Sequence, residues 1–254
     1  MEKKNIQTID KAKDAMGTAI AEYQQKGKAG KLRVLSEMFD EDEIPVDYLF
    51  RTYEKMPDLE KKALSLAKGN VLDVGAGSGC HTIALNELKK QGKVNVEHLT
   101  AIDISELSCD AMRAQGIEDV RCVNLMNPTF GDKYDTILML MNGTGIAGKL
   151  DKLAEMLNRL RELMNEGGQV LIDSSDLSYL YEDEDGDLDM EMLEGDYYGE
   201  VTYRMCYKNV KGDDFDWLYA DFGTLKTFAN NCGLNCELIQ EGEHYDYLAK
   251  LTKQ

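Results

Sequence analysis

The chain has 254 residues, 43% hydrophobic and 30% charged, a composition that excludes a disordered chain and suits one large domain or a core with an appended lobe. Asp and Glu number 47 against 29 Lys and Arg, and the formal charge of −18 gives an average field that repels polyanions and argues against nucleic acid as a partner. No apolar stretch reaches the ~20 residues that span a bilayer, the start MEKKNIQTIDKAKDAM lacks a signal-peptide apolar region, and the six cysteines form no CxxC pairs, so the expectation is a cytoplasmic protein with reduced thiols, no membrane contact and no zinc site.

Residues 1–68 are predicted to form an N-terminal helical lobe, because Ile6, Ile9, Ala12, Met16, Ile20 and Tyr23 recur at helical spacing. Pro45 and Pro57 interrupt the pattern, and a helix opening after Pro57 ends near Gly69. Over 69–176, short apolar runs alternate with helical stretches: VLDV, a helix near Cys80 to Lys90, LTAID, a helix near Ser105 to Gln115, VRCV, YDTILML, a helix near Lys149 to Met164, and QVLID. This alternation predicts an α/β fold with a parallel sheet covered by helices on both faces. Strands buried on two faces read as continuous apolar runs, as these do.

Residues 177–222 carry an acidic stretch, Glu182 to Asp196, and two strand-like runs, YYGEVTYRMCY and FDWLYAD, around a turn near Lys211 to Asp213. They read as an inserted acidic loop and β-hairpin that form a lid. Asp183, Asp185 and Asp187 alternate, but Leu188 stands where a calcium loop needs glycine, so no metal is expected and the stretch reads as a solvated lid. Residues 223–254 supply a last helix near Thr224 to Asn231 and two strands, NCELIQ and HYDYLAKLT, predicted to form an antiparallel hairpin at the sheet edge.

The segment VLDVGAGSG places Gly75, Gly77 and Gly79 between a buried strand and a helix start. Glycine permits the tight turn and lets a ligand approach backbone without a Cβ in the way, although glycines here also serve plain strand–helix packing. The next strand, LTAID, ends in Asp103, where a carboxylate can accept both hydroxyls of a ribose, and the ligand is therefore nucleoside-like. A nicotinamide fingerprint counted from Gly75 needs glycine where Cys80 stands, and the loop lacks the Lys followed by Ser or Thr of a triphosphate site.

The ordered series VLDVGAGSG, AIDIS, YDTILMLMNG and GGQVLID resembles the motifs of class I S-adenosylmethionine-dependent methyltransferases over 70–176. The resemblance implies a Rossmann-like, seven-stranded, mostly parallel sheet whose last strand is antiparallel. It also implies S-adenosylmethionine as cofactor, S-adenosylhomocysteine as product, and a cofactor lying across the carboxyl ends of the first strands. Carried over residue by residue, Asp73 and the backbone of Gly75, Ala76, Gly77 and Gly79 face the methionine portion, Asp103 holds the ribose, and Ile104 packs on the adenine. Asn124 falls where the family often places an acidic residue for the adenine amino group; its amide oxygen can accept that bond, and it also reads as a turn residue. Leu140 and Asn142, with Gly143 and Gly145, border the methyl-transfer pocket, and Asn142-Gly143 also reads as an ordinary turn.

His81 follows the glycine loop at a helix N-terminus, where it borders the cofactor carboxylate. His81 and Asp173, at the end of the fifth strand, are the candidate bases if the acceptor must lose a proton, while each has a structural role open to it: packing for His81, capping the SSD turn for Asp173. The acceptor pocket is expected above the carboxyl edge, with Tyr48, Arg51, Tyr198 and Trp217 as substrate contacts from an aromatic set that includes Phe50, Tyr197, Tyr203 and Tyr219. Such rings suit a flat or cationic organic acceptor. Methyl transfer from a sulfonium is an in-line substitution in which alignment supplies ~7–11 kcal/mol in favourable cases. The sequence points to a small-molecule acceptor, with protein or RNA methylation, or a noncatalytic cofactor-binding module, as the open alternatives.

Overall fold

The computed structural model describes residues 8–181 and 197–254. Its strands are β1 Leu32–Ser36, β2 Asp42–Ile44, β3 Lys68–Val74, β4 Asn95–Asp103, β5 Asp119–Cys122, β6 Tyr134–Met139, β7 Met164–Ser175, β8 Glu200–Tyr207, β9 Val210–Leu218, β10 Leu234–Glu241 and β11 Asp246–Lys253. Its helices are α1 Ala15–Lys26, α2 Asp58–Leu66, α3 Cys80–Lys90, α4 Glu106–Ala114, α5 Leu150–Leu163 and α6 Phe222–Asn231.

Parallel pairing runs from β5 through β4, β3 and β6 to β7. The last strand, β11, closes antiparallel on β7 and β10 on β11, which completes a seven-stranded sheet in the order β10-β11-β7-β6-β3-β4-β5. β11 alone opposes the others, in agreement with the reversed last strand that the resemblance implies. Successive strand residues alternate between faces, so Ile137 and Val170 join one core cluster while Leu138 and Leu171 join the other. On the first face, α5 contributes Leu153, Met156, Leu157, Leu160 and Leu163, one apolar stripe at helical spacing. On the second, Leu59, Ala63 and Leu64 of α2 and Ala84, Leu85 and Leu88 of α3 pack over Val71, Leu138 and Leu171. Each large side chain buried this way contributes roughly 1.5–3 kcal/mol.

Within 1–68 the helical reading holds for α1 and α2 and fails at 32–44. Gly27 ends α1 in left-handed backbone at φ +66°. Beyond it, β1 and β2 form an antiparallel pair, and β1 also pairs with β8 of the inserted hairpin, with Leu32 opposite Tyr207 and Val34 opposite Met205. A second, four-stranded antiparallel sheet, β2-β1-β8-β9, results. Leu32 and Tyr207 are fully buried there against Ala15 and Ala19 of α1. Packing against a distant partner strand, and not local propensity, makes 32–36 extended.

The N-terminal segment reaches the sheet's carboxyl edge. Ile9 N–H donates to the Ile104 carbonyl at 3.0 Å. Asp14, the N-cap of α1, accepts from Gly17 N–H at 2.7 Å and from Ser105 Oγ at 2.5 Å, which pins α1 beside the end of β4. No described helix is long and apolar enough to cross a membrane. The acidic stretch 182–196, expected to form a lid, lies outside the described residues.

Candidate functional site

The carboxyl ends of β3, β4, β6 and β7 lie side by side, with Val74 paired to Ile102, Asp73 to Leu138 and Met139 to Ile172. After β3 the chain turns through left-handed backbone at Gly75 (φ +67°), Gly77 (φ +57°) and Gly79 (φ +84°). The three glycines face different surroundings. A Cβ at Gly75 would meet only Ile146 Cδ1 at 3.3 Å, and one at Gly77 only Ile20 Cδ1 at 4.0 Å. At Gly79 it would strike Ile117 Cδ1 at 2.4 Å and Met112 Cγ at 3.0 Å. Gly75 and Gly77 thus front space that a ligand can enter. At Gly79 the missing Cβ lets the loop pack on Met112 of α4 and on Ile117.

Asp103 ties this loop to β4. Its Oδ2 accepts from Gly77 N–H and its Oδ1 from Ser105 N–H, both at 2.8 Å, while Ala76 N–H donates to the Ile102 carbonyl at 3.0 Å. A carboxylate has about four acceptor positions, so two remain for further donors. Burial pushes the Asp103 carboxyl up to about 6, against the lowering effect of the Ser105 and Gly77 N–H groups. Ile104, next in sequence, leaves 40% of its side chain exposed beside that carboxylate. An open backbone cradle, a carboxylate with spare acceptor positions and an exposed aliphatic side chain in one line fit an aminoacyl nucleoside. Asp73, buried at the end of β3, accepts from Thr82 Oγ1 at 2.7 Å, and burial raises its carboxyl above the ordinary range. Asn124 follows its turn reading: its Oδ1 accepts from Met126 N–H at 2.8 Å, so the amide oxygen expected at the adenine already closes an Asx turn.

The loop after β6 is shaped differently from the expectation. Leu140 is buried in the α2–α3 core cluster. Met141 (φ +68°) and Asn142 (φ +59°) both adopt left-handed backbone. Asp173 holds this bend, with Oδ2 accepting from Met141 N–H at 3.0 Å and Oδ1 from Gly143 N–H at 3.1 Å. The SSD turn is closed by Asp176, which accepts from Ser178 N–H at 2.8 Å. Asp173 therefore clamps the loop after β6 and does not cap the SSD turn; burial pushes its carboxyl up to about 6, against the lowering effect of the Gly143 and Met141 N–H groups.

Three of the expected substrate contacts, Trp217, Arg51 and Tyr198, also have partners within the protein. The Trp217 indole is seated on Gly145, where a Cβ would fall 1.9 Å from Cε2, so the ring is a wall behind the 143–147 turn. Arg51 forks onto Glu60 (Nε to Oε2 3.0 Å, Nη2 to Oε1 2.6 Å), and its Nη1 donates to the Tyr48 carbonyl at 2.9 Å. His81 joins them, its Nε2 lying 3.1 Å from Glu60 Oε2 and 3.2 Å from Arg51 Nη2. All three side chains are buried. Burial would raise the Glu60 carboxyl, but the bonds and charges of His81 and Arg51 outweigh it and hold that carboxyl below its usual range. These bonds hold Arg51 and the Nε2 side of the His81 ring within a buried cluster. Glu60 was missed, since an acidic residue in the first turn of a helix reads as a dipole-compensating surface group. Tyr198 spends its hydroxyl on Asp221 Oδ2 at 2.9 Å, beside Tyr197 at 2.7 Å. Tyr48 keeps 39% exposure, with the Arg51 guanidinium 4.2 Å from its ring centre.

Past the Asp173 clamp, Ser175 Oγ donates to Asn142 Oδ1 at 2.9 Å and lines an open cavity of about 250 Å³. Phe39 from the β1–β2 turn and Tyr203 and Tyr219 from the second sheet form one side, with the two tyrosine hydroxyls 3.1 Å apart. Leu177, Tyr179 and Leu180 after β7, and His244 between β10 and β11, form the other. Tyr203 and Tyr219 belong to the aromatic set expected at the acceptor. Phe39, Ser175, Tyr179 and His244 were missed, because only the β1–β8 pairing and the last hairpin bring those segments together.

No protein-family model matches the chain, and no curated protein is similar to it in sequence. Solved structures are. An S-adenosylmethionine-dependent methyltransferase from Bacteroides fragilis, crystallised with S-adenosyl-L-homocysteine, is 50% identical, with 98% of this chain and 99% of that one covered at a TM-score of 0.90. The CcbJ methyltransferase from Streptomyces caelestis is 15% identical over 94% of this chain and 98% of its own, at a TM-score of 0.61. The sugar N-methyltransferase KedS8 from a Streptoalloteichus species is 14% identical over 81% and 88%, at a TM-score of 0.50. The last two share the fold; the first, with half of its residues identical over nearly the whole length, places this chain among the S-adenosylmethionine-dependent methyltransferases, enzymes for which S-adenosylmethionine is the methyl donor.

Proposed function

We propose that this methyltransferase modifies a small organic molecule bound in the cavity beyond Ser175. The observation that carries this reading is the hydrogen bond from Ser175 to Asn142, which joins the cavity wall to the loop that borders the cofactor edge. A volume of about 250 Å³ suits a molecule below drug size and not a folded polypeptide or an RNA duplex. The charge of −18 favours neutral or cationic acceptors over polyanions.

Bound S-adenosylmethionine supplies an electrophilic methyl group on sulfur. In this reading the chain's own residues do the positioning: the backbone at Gly75 and Gly77 admits the amino-acid end, Asp103 accepts the ribose hydroxyls, and Ile104 flanks the base. Asp173 fixes the Met141–Gly143 bend, which would border the bound methyl donor and help to align an acceptor with it. The test is S-adenosylhomocysteine release over a panel of small amines, alcohols and acids alongside bulk RNA and a protein extract. Turnover with a small molecule alone supports the reading, and turnover confined to RNA or protein overturns it.

A further inference from the structure

The cavity beyond Ser175 has a chemistry of its own. Four aromatic residues, Phe39, Tyr179, Tyr203 and Tyr219, are among those that line it, and Tyr179 stacks on Tyr245 with ring centres 4.5 Å apart. Aromatic faces carry negative electrostatic potential and attract ammonium groups. Among the described residues the lining holds no Lys or Arg, so an acceptor's carboxylate or phosphate would be desolvated there without a counter-ion. It also holds no Asp or Glu among the described residues, and the Tyr203 and Tyr219 hydroxyls, 3.1 Å apart, are engaged with each other. Burial raises both phenols above their ordinary range, so they stay protonated and cannot serve as bases. The imidazole of His244, a residue exposed to solvent, completes the polar part of the lining.

An alcohol is too weak an acid to lose its proton to an exposed imidazole or to water before reaction, whereas an alkylammonium exchanges its proton with solvent and reacts through the neutral amine's own lone pair. From this we infer that the cavity is an aromatic pocket for a small organic amine and that the methylated atom is the amine nitrogen, an inference that rests on the small-molecule reading above. The amine enters as an ammonium against the rings and gives one proton to His244 or to solvent. Its lone pair then forms the nitrogen–carbon bond as the carbon–sulfur bond breaks, and the bonding pair leaves with sulfur. The product is a methylammonium, and no further base is required.

Benzylamine, benzyl alcohol and benzoate share one ring and differ in the group that decides. Ligand-observed NMR on protein saturated with S-adenosylhomocysteine is expected to show benzylamine binding about tenfold or more tightly than the other two. Phe39→Ala, in a half-buried bend, and Tyr179→Ala, in an exposed 3-10 turn of helix, are expected to weaken it about threefold or more, and Leu180→Lys to abolish the preference by placing a like charge in the pocket. Equal or tighter binding of the alcohol or the acid, binding of none of the three, or variants that retain wild-type preference overturns the proposal. Calorimetry with S-adenosylhomocysteine on the same samples separates the two layers. Intact cofactor binding without an amine preference overturns the pocket alone, and absent cofactor binding overturns the site reading beneath it.

Discussion

The carboxylate of Asp103 and the N–H of Gly77 are hydrogen-bonded at 2.8 Å, so the two segments assigned to opposite ends of one ligand are fastened to each other before it arrives. A ligand then binds a formed cleft and does not have to order it. Asp103→Ala removes this tie, the tie to Ser105 and the acceptor positions for ribose. Calorimetry is expected to show S-adenosylmethionine affinity reduced by roughly 1–3 kcal/mol. Unchanged affinity in a folded variant would remove Asp103 from the site.

The raised carboxyl of Asp103 makes that affinity depend on pH. Protonation, centred at about 6, removes a charged acceptor, so affinity is expected to fall as pH drops through that value. Asp103→Asn, which cannot titrate, is expected to show weaker binding and no such fall. Stability moves the other way. Asp103 and Asp173 both titrate at about 6 when folded and near the ordinary ~3.9 when unfolded. Between those values the folded state binds more protons, so the contribution of these two groups to stability increases as pH falls through that window. Calorimetric titrations and denaturant melts over about pH 7.5 to 4.5 check both signs.

Gly77 and Gly79 separate binding from packing. A Cβ at Gly79 would collide with Ile117 and Met112, whereas at Gly77 the nearest atom is 4.0 Å away. Both positions have left-handed backbone, so alanine costs about 1 kcal/mol of strain at each. Gly79→Ala adds overpacking of ~1–3 kcal/mol and is expected to give the larger loss of melting temperature. Gly77→Ala is expected to give the larger loss of cofactor affinity, its Cβ standing in the ligand's space. Equal effects on both measurements would contradict the division.

Much of the core was legible because its signals are local. VLDVGAGSG joins a buried strand, a glycine turn and a helix start within one short segment, and β3, the loop and α3 follow in that order. The continuous apolar runs of β4, β6 and β7 likewise report their own burial. β1 was not legible, because Leu32 becomes extended by facing Tyr207, a residue far along the chain. The same holds for Arg51 and His81, whose partner Glu60 lies on the separate helix that opens after Pro57, and for Trp217, which packs where Gly145 has no side chain. Sequence reasoning placed polar and aromatic residues near the right edge of the sheet. It could not tell those turned toward the ligand from those consumed by the scaffold.

The Arg51–Glu60–His81 cluster is the clearest case of consumption, and its role is measurable. Arg51 and Glu60 side chains are 1% and 5% exposed and bonded at 2.6 Å, so removal of either leaves a buried charge without its partner. Such a loss costs about 3–5 kcal/mol, while replacing both partners with apolar residues of similar volume costs far less. Arg51→Met and Glu60→Leu are each expected to destabilise strongly in denaturant melts, and the double variant by much less than their sum. The Glu60 carboxyl, held below its usual range, contributes stability that is present above its unfolded value near ~4.3 and is lost as pH falls through the lower folded value. Arg51→Met removes one of the two partners that lower it and is expected to shift this acid loss to higher pH. His81→Gln discriminates scaffold from chemistry: if His81 serves the cluster, the variant loses stability while methyl transfer per folded molecule stays within about threefold of wild type, well short of the ~100-fold or greater loss that follows removal of a general base.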